Sequence, residues 1–119
     1  MIFLGTDIIQ ISRIDILIKK YGNKFLNHIF TDIEQDICLN KLKPSIHFSG
    51  RFAAKEAVKK AILSSHIHNN ISLKSIEIIN HISGAPIINK TIKSIDKSKI
   101  ILSISHCNEY ATSTALFQV

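Results

Sequence analysis

The chain is short of several things, and each shortage removes a class of function. Aromatic residues make up only 7% of it. They are not interleaved with basic residues, which argues against a base-stacking platform for single-stranded nucleic acid, and no nucleic-acid motif is present. Cysteine is confined to Cys38 and Cys107, with no CxxC or zinc-type spacing, so free thiols in a reducing compartment are expected. No apolar run approaches the ~18 residues that a membrane helix needs. Met1-Ile2-Phe3-Leu4 is too short for a signal-peptide core and has no basic flank. A cytoplasmic protein without a membrane partner is therefore expected. Glycine and alanine are sparse, whereas isoleucine, lysine and asparagine abound, a bias that reads as AT-rich coding rather than as function. Acidic residues are outnumbered 9 to 15 by Lys and Arg, for a net charge of +6. That imbalance calls for an anionic partner: a phosphorylated small molecule, an acidic protein, nucleic acid or a membrane surface.

What is present suits one domain over residues 1–119, with 45% hydrophobic and 20% charged residues. Residues 2–9 read as a strand in which Ile2, Phe3, Leu4, Ile8 and Ile9 favour burial. Asp7 lies in its second half, where a carboxylate is expensive unless exposed, paired or metal-bound. Its plain reading is an exposed strand-end residue that caps the next segment. Ser12 is a candidate N-cap for a helix to about Tyr21, with Gly22 as C-cap. A short helical turn over 24–30 follows, and Thr31-Asp32-Ile33-Glu34 fits a capping box, which explains Glu34 without a ligand. A helix then runs to about Leu42, stopping before Pro44, and a longer one spans Ser45 to Leu63. His66 and His68 fall in a polar loop with no third ligand nearby. Strands are expected around Ile76–Ile82, Ile87–Ile92, Ile100–Ile104 and Tyr110–Val119, the first two joined by Ser83-Gly84-Ala85-Pro86. One strand, helices, then four strands indicate an α+β fold, with helices on one face of a largely antiparallel sheet. The later strands are expected to form a meander.

The long helix carries the informative pattern. At about 100° per residue, Ala54, Ala57, Val58 and Ala61 fall on one face and Glu56, Lys59 and Lys60 on the other. Read plainly, Glu56 and Lys60 are an i,i+4 pair worth about 0.2–0.5 kcal/mol. Read functionally, one carboxylate beside two ammoniums holds a divalent cation and an anionic ligand together. Arg13, Lys19, Lys20 and Lys24 are either a solvated face or a docking surface for an acidic partner.

Three motifs stand in order: Gly5-Thr6-Asp7-Ile8, then Arg51-Phe52-Ala53-Ala54-Lys55-Glu56-Ala57 with Lys60, then Ser103-Ile104-Ser105-His106 leading to Glu109-Tyr110-Ala111. Together they resemble the holo-acyl-carrier-protein synthase family, the small 4'-phosphopantetheinyl transferases, over essentially the whole chain. The resemblance implies the 4'-phosphopantetheinyl transferase-like fold and a transferase of fatty acid biosynthesis. Phosphopantetheine would pass from coenzyme A to a serine of apo acyl carrier protein, releasing adenosine 3',5'-bisphosphate. It implies magnesium on Asp7 and Glu56, Lys60 on the phosphates, and Arg51 and His106 as coenzyme A contacts. The serine proton would go to Glu56 or to a metal-bound water. Arg13 matches the family's carrier-docking helix, with Lys20, Lys24 and Phe25 as additions. A homotrimer with sites at subunit interfaces is implied as well, and the Ile100–Ile104 run, read as apolar on both faces, fits burial by a neighbouring subunit. His106 beside Cys107 also suggests a Cys–His nucleophile, although strand neighbours point to opposite faces. One departure stands out: Ile62-Leu63-Ser64-Ser65 replaces the usual glycine-rich loop, leaving Ser64 and Ser65 to offer hydroxyls instead. The competing readings are a non-catalytic basic module that binds coenzyme A or an acidic protein, and a family member with diminished turnover.

Overall fold

A computed structural model describes every residue from Met1 to Val119. Strand β1 (Ile2–Gln10) passes into helix α1 (Ile11–Tyr21) with no loop between them. Ser12 is therefore inside the helix rather than at its cap. The cap position belongs to Gln10, which makes no side-chain capping bond. The Ile11 N–H instead donates to the Glu109 carbonyl at 2.9 Å, so a distant turn supplies what a capping side chain would have. Gly22 ends α1 at φ 55°, its N–H donating to Ile18 O, and α2 (Asn23–Ile29) starts at once. The capping box forms as expected, with Thr31 and Glu34 exchanging bonds at the head of α3 (Asp32–Leu39). Helix α4 (Pro44–Ser64) opens on a proline, where the missing N–H costs nothing.

The remaining strands are β2 (Glu77–Asn80), β3 (Pro86–Lys90), β4 (Ile100–His106) and β5 (Tyr110–Gln118). Strand β5 is the centre of an antiparallel sheet ordered β1-β5-β4, and β2 with β3 forms a separate hairpin. The expected α+β layering is present, but the four later strands are not one meander. The first strand closes the sheet by pairing with β5 along its full length, from Ile2 opposite Gln118 to Gln10 opposite Tyr110. Helix α4 crosses the inner face of this sheet, and its Ala54, Ala57, Val58 and Ala61 stripe is wholly buried. It contributes to both apolar clusters of the core: one with Ile76, Ile78 and Phe117, the other with Ile14, Phe30 and Cys38. Burial pushes the Cys38 thiol up to about 11, which makes it an inert core residue.

Strand periodicity decides which residues meet α4. Gly5, Asp7 and Ile9 face the helix, whereas Ile2, Leu4 and Ile8 point away and are 61%, 60% and 66% exposed. The expectation that these three isoleucine and leucine residues are buried fails because helices cover only one side of the sheet. Strand β4 alternates too: Ile100 is buried and Ile101 is 62% exposed, so the run is not buried on both faces within this chain. Gly5 sets the spacing of strand and helix. A Cβ there would lie 1.8 Å from the Ala57 carbonyl oxygen and 2.7 Å from the Ala61 nitrogen. Only a residue without a side chain permits β1 to lie against the alanine-lined helix.

Candidate active site

Two residues beyond Gly5 on the same face, Asp7 reaches the margin of α4. Its Oδ1 accepts from Lys60 Nζ at 3.1 Å, and the same ammonium donates to Thr6 O at 2.9 Å. Lys60 thus pairs with Asp7 rather than with Glu56, and Asp7 caps nothing. One turn earlier on the helix, Glu56 lines a cleft of about 470 Å³ together with Asp7, Arg13, Leu17, Phe52 and Tyr110. Residues remote in sequence therefore bring two carboxylates to one cavity, with Arg13 in its lining and Lys60 bound to Asp7 from outside it. Asp7 and Glu56 are hard oxygen donors, and no third His, Cys, Asp or Glu joins them in a metal-binding group. That donor set suits magnesium, which accepts few protein carboxylates and completes its shell with water and phosphate oxygens.

A second, smaller cleft of about 190 Å³ opens beside α4, lined by His47, Gly50, Arg51, Asn80 and His106 among others. Arg51 and His106 thus line one cleft. Arg51 is also a structural tie: Nε donates to Ile78 O at 3.2 Å and Nη2 to Asn80 Oδ1 at 2.9 Å. Cys107 does not line this cleft, and nothing supports a Cys–His nucleophile. His47 escaped the sequence reading because a lone histidine near a helix start carries no signal. Its ring lies 6.4 Å from that of His106, centroid to centroid. Burial, with help from Lys41, Arg51 and His106, holds its imidazole below the usual histidine range.

Lys55 was also missed, although it sits inside the second motif. It is fully buried and ion-paired to Glu34, itself fully buried. The Lys55 ammonium also donates to Ile29 O at 2.8 Å and Leu73 O at 3.2 Å. Glu34 does more than its capping box requires, because its Oε2 accepts from Ile78 N at 2.8 Å. This network fastens α4 to the end of α2, to α3 and to β2, and so fixes the helix that carries Glu56 and Lys60.

The chain matches the family model of the 4'-phosphopantetheinyl transferase superfamily over residues 3–115. The chain belongs to that superfamily. Within it, the chain is 48% identical over 118 residues to a holo-[acyl-carrier-protein] synthase of Chlamydia pneumoniae, covering 98% of this chain and 96% of that one. A synthase of the same name from Protochlamydia amoebophila is 45% identical over 117 residues, covering 96% and 95%. Among solved structures, the Helicobacter pylori holo-[acyl-carrier-protein] synthase in complex with coenzyme A superposes with a TM-score of 0.81. It is 28% identical, with 97% and 99% of the two chains covered. The protein is thus an enzyme of the holo-[acyl-carrier-protein] synthase family with the phosphopantetheinyl transferase fold.

The end of this transferase's helix α4 is closed by two serines. The Ser64 hydroxyl donates to Lys60 O at 2.8 Å and that of Ser65 to Ile62 O at 2.6 Å. Both hydroxyl protons are engaged by carbonyls of the last turn of the helix. His66 then takes φ 60°, the left-handed conformation that glycine adopts more readily. Arg13, which lines the first cleft, and Lys20 and Lys24 are exposed. Lys24 and Phe25 line an adjoining apolar groove of about 330 Å³ with Leu17, Tyr21 and His28. Leu17 borders this groove and the carboxylate cleft alike, joining the two.

Proposed function

We propose that this enzyme transfers 4'-phosphopantetheine from coenzyme A to a serine of apo acyl carrier protein in a magnesium-dependent reaction that releases adenosine 3',5'-bisphosphate. The observation that carries the reading is the convergence of Asp7 and Glu56 on one cleft, with Lys60 already seated on Asp7. Asp7 and Glu56 would hold the magnesium ion, whose chemistry there is to polarise the pyrophosphate of coenzyme A. Lys60 neutralises charge on the transferred phosphoryl group, where positioning and electrostatics supply most of the rate. The serine oxygen attacks the phosphorus next to pantetheine as its proton leaves to a base, for which Glu56 lies in the right cleft. The bond from that phosphorus to the oxygen bridging to the nucleotide breaks. Arg51 and His106 take the nucleotide's phosphates in the second cleft.

Arg13, Lys20, Lys24 and Phe25 form the landing surface for the acidic carrier, beside the carboxylate cleft. Charges on such a rim set encounter rate and salt dependence more than affinity. The exposed row of Ile2, Leu4, Ile8 and Ile101 is the surface that other copies cover in a homotrimer. We place the reaction in the cytoplasm, in support of fatty acid biosynthesis. The test is mass spectrometry of apo acyl carrier protein incubated with the enzyme, coenzyme A and magnesium. A carrier heavier by one phosphopantetheine is expected. No adduct, with a known transferase working in parallel, rejects the proposal in favour of a non-catalytic basic module.

A further inference from the structure

His47 has no part in the reaction as described so far, yet it shares the second cleft with Arg51 and His106. No carboxylate lines that cleft, and its volume of about 190 Å³ is below the roughly 300–1,000 Å³ of sites that enclose a whole small molecule. It suits one charged end of a ligand. His47 reaches it from the first turns of α4, and His106 from the end of β4, with ring planes inclined at 67°. The charged or titratable groups that bear on His47 are Lys41 from the α3–α4 connection, Arg51 from α4 and His106 from β4, all basic. With burial, they favour the neutral imidazole. A dianion placed among them reverses that balance.

We propose that His47 is a further ligand-contacting residue, closing with His106 and Arg51 on a phosphate monoester of coenzyme A and taking up a proton from solvent as the ligand binds. The inference rests on the placement of the nucleotide's phosphates given above. A phosphate monoester is largely dianionic at neutral pH, its second proton leaving near pH ~6. Three basic groups converging on two negative charges make protonation of His47 the favourable response. The enzyme's affinity for coenzyme A should accordingly fall as pH rises through the liganded histidine's titration.

Calorimetry of coenzyme A binding in buffers of different ionisation enthalpy tests this, with magnesium present throughout. The unaltered enzyme should take up a proton from the buffer, while His47→Phe and His47→Gln should lose the uptake and bind about tenfold more weakly, one pKa unit of linkage. Dephospho-coenzyme A, which lacks the monoester, should bind without uptake. Imidazole NMR of the unaltered enzyme should show the His47 titration moving to higher pH when coenzyme A is added, a readout that needs no variant. Binding without proton uptake, uptake that persists in both variants or with dephospho-coenzyme A, or an unmoved His47 titration overturns the inference alone. Failure of coenzyme A to bind the unaltered enzyme overturns the underlying reading with it.

Discussion

Helix α4 carries two lysine–carboxylate pairs a little over one turn apart, and they live in different dielectric worlds. Lys55 and Glu34 are both fully buried, whereas the Lys60 side chain is 52% exposed and that of Asp7 17%. The buried pair is saturated: Lys55 also serves two carbonyls, and Glu34 serves two backbone N–H groups. The exposed pair keeps its lone pairs and protons accessible at a cleft. Burial turns an ion pair into a fastener, because leaving one partner alone in low dielectric is prohibitive. Exposure leaves a pair weak enough to be exchanged for a ligand.

The sharpest way to break this comparison is at the carboxylates. Asp7→Ala and Glu56→Ala should each drop transfer below about a thousandth of the parent rate while circular dichroism and urea unfolding stay near parental. Full activity in either variant removes that residue from the metal site. Next in size, Lys55→Met strands the buried Glu34 carboxylate and should lower unfolding free energy by about 3–5 kcal/mol in urea titration. A loss below about 1 kcal/mol would place the pair with ordinary surface ion pairs. Lys60→Met should do the converse: stability within about 1 kcal/mol of parental, with kcat down about 10²-fold. The smallest effect is expected on the landing surface. Arg13→Ala should raise KM for the carrier several-fold and flatten its salt dependence, measured as transfer rate against sodium chloride. A pure kcat loss would put Arg13 in the chemistry.

Much of this layout was legible in the residues alone. The alanine stripe, the Gly22 stop, the Thr31–Glu34 capping box and the α+β order all follow from local periodicity and backbone preference. Asp7 stood out because it is a carboxylate in an apolar strand, whereas Glu56 had an ordinary i,i+4 explanation and was singled out as a metal ligand only through the family resemblance. What could not be read were the facts that depend on partners far along the chain. Lys55 is buried only because Glu34, Ile29 and Leu73 converge on it. Glu34 had a sufficient local explanation, which concealed its long-range one. Ser12 lost its cap to a carbonyl from the β4–β5 turn. The exposed faces of β1 and β4 were misjudged because isoleucine reads as core wherever it occurs, and only the sheet's single covering layer reveals which half of each strand is bare.

Gly5 acts as a spacer of zero thickness. The gap between the acid-bearing strand and the acid-bearing helix is set by main-chain atoms in hard contact, with no side chain that can rotate, compress or be trimmed. Such a gauge fixes how closely the strand that bears Asp7 lies against the helix that bears Glu56. Transplanting this site to another scaffold would mean copying the bare strand position together with Ala57 and Ala61, and not the acids alone.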